Sequence, residues 1–306
     1  MSVSRRPSWQ RRDTGLTVRI LLSFGILALL YILFLSVLAY VGLDFISITV
    51  VASIMILLQW YFSDKIVLWS SGAKTVTREQ YPKLHDVVER IIARNNLPKP
   101  KIAVINTKMP NAFATGKGKS SSVVAVTTGL MDLLDTEELE GVLAHELTHI
   151  RNRDVLVLTL ASLFSTVAWY LMQFGFYGGM GYGYGYGYGS RDRNNGGAMA
   201  IVIVVAILTW VISFLIIRAI SRYREFAADR GSAQMTGKPV KLANALMKIS
   251  GNMQRMPTKD LRQAEGLNAF FIIPAMSGST IVNLFSTHPP VEKRIQKLME
   301  MEASMS

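Results

Sequence analysis

"HELTHIRNRD", residues 145–154, runs directly into "VLVLTLASLFSTVAWYLMQFGFY", residues 155–177. A polar helix end meets an apolar block long enough to cross a bilayer, and that joint decides how the chain is organised. In a helix, residues i and i+4 share a face, so His145 and His149 aim at one point. Zn²⁺ takes imidazole nitrogens at about 2.0–2.1 Å and keeps a position open for water in catalytic sites. Glu146, beside the first histidine, stands where it can take a proton from that water as general base. The spacing H-E-x-x-H is the zincin pattern. The competing reading is a pair of surface histidines at a helix end.

Working outward, three more apolar blocks appear, at 18–43, 45–62 and 198–217. About 20 apolar residues cross the hydrocarbon core, so all four blocks qualify as spans, the second most narrowly. One such block can be a buried core helix; four in 306 residues point to a membrane protein. The "VLA" at 37–39 is a weak match to a signal cleavage site, but the run is too long for a signal h-region, and a retained anchor is expected.

Lys and Arg near the span ends set the orientation. Arg5, Arg6, Arg11, Arg12 and Arg19 precede the first span, and Arg218, Arg222 and Arg224 follow the fourth. The connection near Gly42–Asp44 has no basic residue, and the loop between spans three and four has only Arg191 and Arg193. Both termini and both polar segments are therefore expected in the cytoplasm. The net charge of +12 is then an orientation signal, helped by anionic lipid. A nucleic-acid reading of that charge is poor, and no nucleic-acid partner is expected, because the basic residues flank spans and form no aromatic-interleaved patch. With no cysteine, disulfides and thiolate zinc sites are excluded, and any metal must use His and carboxylates.

The expected architecture is a mainly α membrane protein: four transmembrane helices plus a zincin-like α+β catalytic domain with a small sheet, split by spans three and four. A basic tail occupies 1–19 and spans one and two fall within 20–62. The first catalytic segment is 63–154, span three 155–177, and a Gly/Tyr-rich external loop 178–197. Span four is 198–217 and the second catalytic segment 218–306. Within the first segment, Leu84, Val87, Val88, Ile91 and Ile92 predict an amphipathic helix capped near Thr77, with His85 on its solvated side. A strand is predicted at 101–106, a turn-rich stretch at 109–116 ("MPNAFATG"), and a β-branched strand at 121–131 ending at Gly129. The helix carrying HELTH opens at Asp135 or Thr136, with acidic residues in its first turn. Later helices are predicted up to Gly237, from 238 onward, and within 286–301, the last with Pro289 and Pro290 at its first positions.

Two histidines leave a zinc site short of a ligand. The H-x-x-G-x-x-H extension fails, since Asn152 and Val155 stand where Gly and His belong. "REFAAD" places Glu225 and Asp229 four apart on one helix face. Glu225 can ligate a metal there, and Asp229 can accept a hydrogen bond from a ligand imidazole. Both can equally be surface carboxylates beside Arg222 and Arg230, and spacing alone leaves the two readings open. His288, just before Pro-Pro, is placed to stabilise an oxyanion or simply to cap a helix. Arg294 can be an ordinary helix-surface charge.

Taken together, HELTH at 145–149, Asp154, EFAAD at 225–229, "THPP" at 287–290, Arg294 and "PNAFATG" at 110–116 resemble the HtpX membrane heat-shock proteases. These are gluzincins related to the type 1 CAAX prenyl protease. The resemblance covers nearly the whole chain. It implies one Zn²⁺ per chain held by His145, His149 and Glu225, with Glu146 as general base. It implies Asp229 behind a ligand, His288 near the transition state, and Asn111 near the substrate backbone. Asp154 and Arg294 match structural positions. It also implies a zinc metalloendopeptidase acting on protein or peptide substrates, chiefly damaged membrane proteins, as stress-response quality control in the cell membrane. Only the GYGYGYGYG run lies outside the pattern, and nothing in the sequence marks an oligomeric state.

An extended substrate is expected to add to an exposed strand edge, and "SSVVAVTTG" before the HELTH helix is the strand proposed for it. Two rivals are an intramembrane site-2-type protease and a zinc-binding scaffold or chaperone. Against the first, "LMDLLDTEELEGVLA" before HELTH is acidic. Against the second, a structural site is closed by four protein ligands, and Glu146 would have no task.

Overall fold

The computed structural model describes residues 14–40, 45–116, 121–158, 169, 195–256 and 288–305. Its elements are α1 (Thr14–Tyr40), α2 (Phe45–Ser70), β1 (Lys74–Thr75), α3 (Pro82–Asn95), β2 (Lys101–Ile105), β3 (Ala112–Thr115), β4 (Val123–Thr127), α4 (Thr128–Leu133), α5 (Thr136–Asn152), α6 (Asn195–Thr236), α7 (Pro239–Gln254) and α8 (Val291–Met305). The described residues are mainly helical, with one small mixed sheet. They fall into two units, one drawn from within 17–60 and 157–220, the other from within 61–156 and 221–305.

In the first unit, Leu27 and Ile220 are buried, with Phe24, Val157, Leu158, Ile216 and Ile217 packed against them. Apolar side chains such as Leu22, Leu29, Leu33, Ile201, Val204 and Leu208 are exposed. An apolar surface of that kind fits a bilayer better than water. Among the described residues, one helix is long and apolar enough to cross a membrane, Ile201–Thr236, and Leu21–Val37 is a shorter apolar helix. The expected third span lies largely outside the described residues, as does most of the Gly/Tyr-rich loop. Helix α2 continues past the expected end of span two to Ser70.

The second unit is built on the sheet, in the order β1-β2-β4-β3. β2 and β4 run parallel, with Ala103 opposite Ala125. β3 is antiparallel to β4, with Phe113 opposite Ala125. Successive strand residues face opposite sides. Ile102, Val104, Ala112, Val124 and Val126 therefore meet Leu84, Val88 and Ile91 of α3, Val142, Leu143 and Leu147 of α5, and Leu242 and Leu246 of α7. The alternate residues Ala103, Phe113, Val123 and Ala125 pack with Val67 of α2. With both faces covered, β4 has no polar alternation and all five of its residues are buried.

Several expectations are corrected here. The run 121–131 is not one strand: at Thr127 the side-chain oxygen accepts from Leu130 N–H and starts α4. Gly129 sits within α4, where a Cβ would come 2.2 Å from the Lys108 carbonyl. "MPNAFATG" holds β3, whose small residues carry no periodic signal and pair only through long-range bonds to β4. β4 is paired on both sides, so the strand expected to receive substrate offers no free edge; the edges of the sheet are β1 and β3. Helix α3 starts at Pro82, after Tyr81, and not at Thr77. His85 is buried at 7% exposure, its Nε2 3.2 Å from the Val76 carbonyl. By contrast α6 ends before Gly237 at φ +70°, as predicted, while α8 begins at Val291, directly after the two prolines expected at its first positions.

Candidate active site

Helix α5 opens with a reciprocal cap. Asp135 accepts from the N–H groups of Glu137 and Glu138, and Glu138 accepts from the Asp135 N–H at 2.9 Å. It closes at Arg153, whose left-handed φ of 57° turns the chain sharply after the second histidine. Helix α6 then lies against α5 along small residues. A Cβ on Gly231 would meet Thr148 at 2.3 Å, so the two helices come too close there for a side chain. Ser232 Oγ donates to the Gly141 carbonyl at 2.7 Å. This seam brings "REFAAD" up to HELTH.

The imidazoles of His145 and His149 stand with ring centroids 4.7 Å apart and nearly perpendicular. Their Nε2 atoms are 3.1 Å apart. Glu225 Oε2 lies 3.6 Å from His145 Nε2, and Oε1 lies 3.5 Å from His149 Nε2. Donors held at 2.0–2.1 Å from a tetrahedral zinc stand about 3.3 Å apart, so the three fit that ion. Among the described residues, these three form the group able to hold a metal, with donor atoms within 4.8 Å of one another. The far side of each ring is also occupied. His145 Nδ1 is 3.0 Å from Asp229 Oδ1, and His149 Nδ1 bonds to Asp154 Oδ2. A carboxylate only accepts, so each Nδ1 carries the hydrogen and each Nε2 presents a lone pair to the centre.

Further charges close the cluster. Arg294 grips Asp229 through Nε at 2.9 Å and Nη2 at 2.6 Å, and its Nη1 is 3.2 Å from Glu225 Oε2. His288 Nδ1 is also 3.2 Å from that oxygen. Burial would raise Glu225, yet His288, Arg294 and the bond with His145 hold it well below the usual carboxylate range. Burial would lower His145, but bonds with Asp229 and Glu225 push it up to about 9. His149 goes down to about 3, through burial and then the charge at His145, Arg224 and Arg294. Without a metal, only one of the two adjacent imidazoles is thus charged, and a metal at the centre would take the place of the proton on His145 Nε2. Glu146 is pushed up to about 7, chiefly by burial, with Glu225 adding and His145, the Ala114 N–H and Arg294 pulling back. That last N–H places Glu146 against the edge strand β3.

Of the nine residues singled out in the sequence, the structure gathers seven directly: His145, His149, Glu225, Asp229, Asp154, His288 and Arg294. Glu146 joins them through its neighbours His145 and Glu225. Asn111 is buried at the head of β3, anchored by backbone bonds of 2.9 Å with Thr127. Two alternatives are set aside. Glu225 and Asp229 are buried, so they are not surface carboxylates, and Arg294, 1% exposed, is not a surface charge. Sequence reasoning missed the role of Arg224, which counted only as a basic residue after a span. It is 3% exposed and paired with Asp154. Its one sequence signal is position, directly before Glu225.

The family described as peptidase family M48 has a sequence profile that matches residues 78–302. The chain is similar to the Protease HtpX homolog of Moorella thermoacetica, with 53% identity over 293 residues, 96% of each chain. It is 52% identical over 299 residues to Protease HtpX homolog 2 of Methanosarcina mazei, covering 97% of this chain and 99% of that one. Among solved structures, the crystal structure of S. mikatae Ste24p matches with a TM-score of 0.56 at 20% identity, over 92% of this chain. The chain spans 65% of that protein's length. At this identity the likeness is one of fold.

Proposed function

The chain belongs to peptidase family M48, and from that premise we propose a membrane-anchored endopeptidase that cuts damaged or misassembled membrane proteins at the cytoplasmic surface. The M48 profile and the HtpX relatives make it a zinc metalloprotease. The observation that carries the site assignment is the meeting of three donors from two helices, beside a buried carboxyl that is not among them.

We assign His145, His149 and Glu225 to the metal. Bound zinc supplies a Lewis acid that polarises the scissile carbonyl and acidifies water. Glu146 serves as proton acceptor and later as donor to the leaving amine. Its buried setting suits both tasks, since a pKa close to the working pH favours transfer in each direction. Asp229 and Asp154 hold the two imidazoles in one tautomer. Arg294 places positive charge beside Glu225, where an oxyanion gains from it, and His288, its Nδ1 3.2 Å from Glu225, is assigned to the same oxyanion as a hydrogen-bonding group. The outer edge of β3 is assigned to the substrate backbone, and Asn111 at its head to the same backbone. Recognition by main-chain bonds asks little of side chains and suits varied substrates.

Membrane attachment rests on the apolar helices, and the cytoplasmic side on the arginines that follow span four and precede span one. All four spans belong to this proposal. The test is zinc content together with casein degradation, wild type against Glu146→Gln. The variant is expected to keep its zinc and lose proteolysis, because Glu146 handles the proton and does not ligate. Near-normal turnover in the purified variant would remove Glu146 from the mechanism.

A further inference from the structure

The two zinc-facing imidazoles are supported alike. His145 Nδ1 meets Asp229, and Asp229 is gripped by the buried Arg294. His149 Nδ1 meets Asp154, and Asp154 is gripped by the buried Arg224. We infer that Arg224 is a positioning residue: by holding Asp154 it fixes the orientation and tautomer of His149, and thereby the metal affinity of the site. This inference rests on the assignment of His149 as a metal ligand.

Three observations carry it. First, the grip is double. Arg224 Nη1 donates to the Asp154 carbonyl, and Nη2 pairs with Asp154 Oδ1. One guanidinium thus fixes both the backbone and the side chain of a single residue. Second, Asp154 needs an outside hold. It follows Arg153, whose left-handed φ ends α5, and it is the first residue of the next helical stretch, 154–158, so its carboxylate stands at a break between two helical stretches. Third, Arg224 immediately precedes Glu225. One turn of α6 therefore carries a metal donor and the group that steers another donor on α5. A shift of that turn would disturb two of the three donors together.

A planar fork can bridge two oxygens at fixed spacing, whereas an ammonium on a flexible stem acts as a point charge. Arg224→Lys therefore keeps the buried charge and loses the double grip, while Arg224→Gln loses both. The chain has only four histidines and no cysteine, so ring-¹⁵N-labelled histidine yields few signals, assignable by single substitutions. At one fixed pH, the metal-free wild type should show His149 in a single form, with hydrogen on Nδ1. In Arg224→Gln that signal should become a mixture of tautomers, while His145 keeps its own. Zinc retention under graded chelator should fall about 10–100-fold, the usual effect of losing support behind a ligand. Arg224→Lys should fall between the two. As a counterpart, Arg294→Gln should disturb the His145 signal and leave that of His149.

Unchanged His149 tautomer and unchanged zinc retention in Arg224→Gln overturn the inference. So does equal disturbance of both histidines or general unfolding in both variants, which makes Arg224 a scaffold residue only. Arg224→Lys matching wild type overturns the double grip. A wild type that binds no zinc sinks the metal-site assignment instead, and the metal-free tautomer of His149 still decides whether Arg224 orients it.

Discussion

Gly231→Ala asks whether the two ligand-bearing helices sit as close as their backbones allow. The added Cβ would lie 2.3 Å from Thr148 Cγ2 and 2.4 Å from its Oγ1. Ordinary contact is about 3.5–4.0 Å, so the overlap is at least about 1 Å with two atoms at once. Thr148 has little room to yield, being fully buried with its hydroxyl donating to the Ala144 carbonyl at 2.8 Å. Helix propensity argues the other way, since Ala is better than Gly by about 1 kcal/mol in a helix interior. Overpacking costs about 1–3 kcal/mol, and a double clash on a buried side chain belongs at the upper end. The net expectation is a loss of roughly 1–2 kcal/mol. The metal should suffer more. Glu225 rides on the same helix, and zinc sites tolerate deviations of only about 0.2 Å. Relieving half the overlap by moving α6 exceeds that. Zinc retention should therefore fall at least about tenfold by graded chelation and metal mass spectrometry, with a lower melting temperature in the metal-free protein. Adding Thr148→Ala removes the two nearest atoms and leaves the Cβ at position 148 at 2.9 Å, and should recover much of both. A Gly231→Ala protein that melts at or above wild type and holds zinc equally well would refute the reasoning.

Glu225→Ala should strip zinc under mild chelation and excess zinc should not restore it, while Asp229→Ala should lose about 10–100-fold and recover in part; the reverse order in metal analysis would exchange the two assignments. Glu146, raised to about 7 from 4.5, binds more protons folded than unfolded between those values. It therefore removes stability from the metal-free protein as pH rises from 4.5 through 7, by roughly 3 kcal/mol at most. Against wild type, metal-free Glu146→Gln should gain melting temperature from pH 5 to pH 8; a difference constant with pH would show that Glu146 ionises normally. A reporter fused after Ser306 should be active in the cytoplasm, and activity only on the outer side would refute the topology and the cytoplasmic site with it.

Much of this protein is written locally, and local features were legible. The i, i+4 spacing of His145 and His149, the cap at Asp135, the stop at Gly237 and the prolines before α8 depend on neighbours a few residues away. One sequence suffices for such features because helix geometry is the same everywhere. The apolar runs are equally plain, since each needs only its own length and composition. The small sheet was less so. Strand β3 is four small residues with no periodicity, and it exists because β4 pairs with it. That pairing also made β4 internal and left β3 at an edge.

The site itself was half legible. Sequence alone placed two histidines and a glutamate on one helix, and it left Glu225, Asp229, Arg294 and His288 each with a bland surface or capping alternative. Burial decided among these, and burial is a tertiary quantity: Arg294 is one more helix arginine until Asp229 and Glu225 are brought against it. His85 erred in the opposite direction, since the solvated side of α3 is covered at that point by the chain around Val76. Arg224 shows the limit most clearly. Nothing in its spacing separates it from the arginines that orient a span, and only the turn at Arg153, which swings Asp154 back toward α6, gives it a partner. A chain's periodicities fix which side chains share a face of one element. Which faces meet is settled by long-range packing, here by a glycine that lets α6 approach α5 closely enough to put a carboxylate beside two imidazoles.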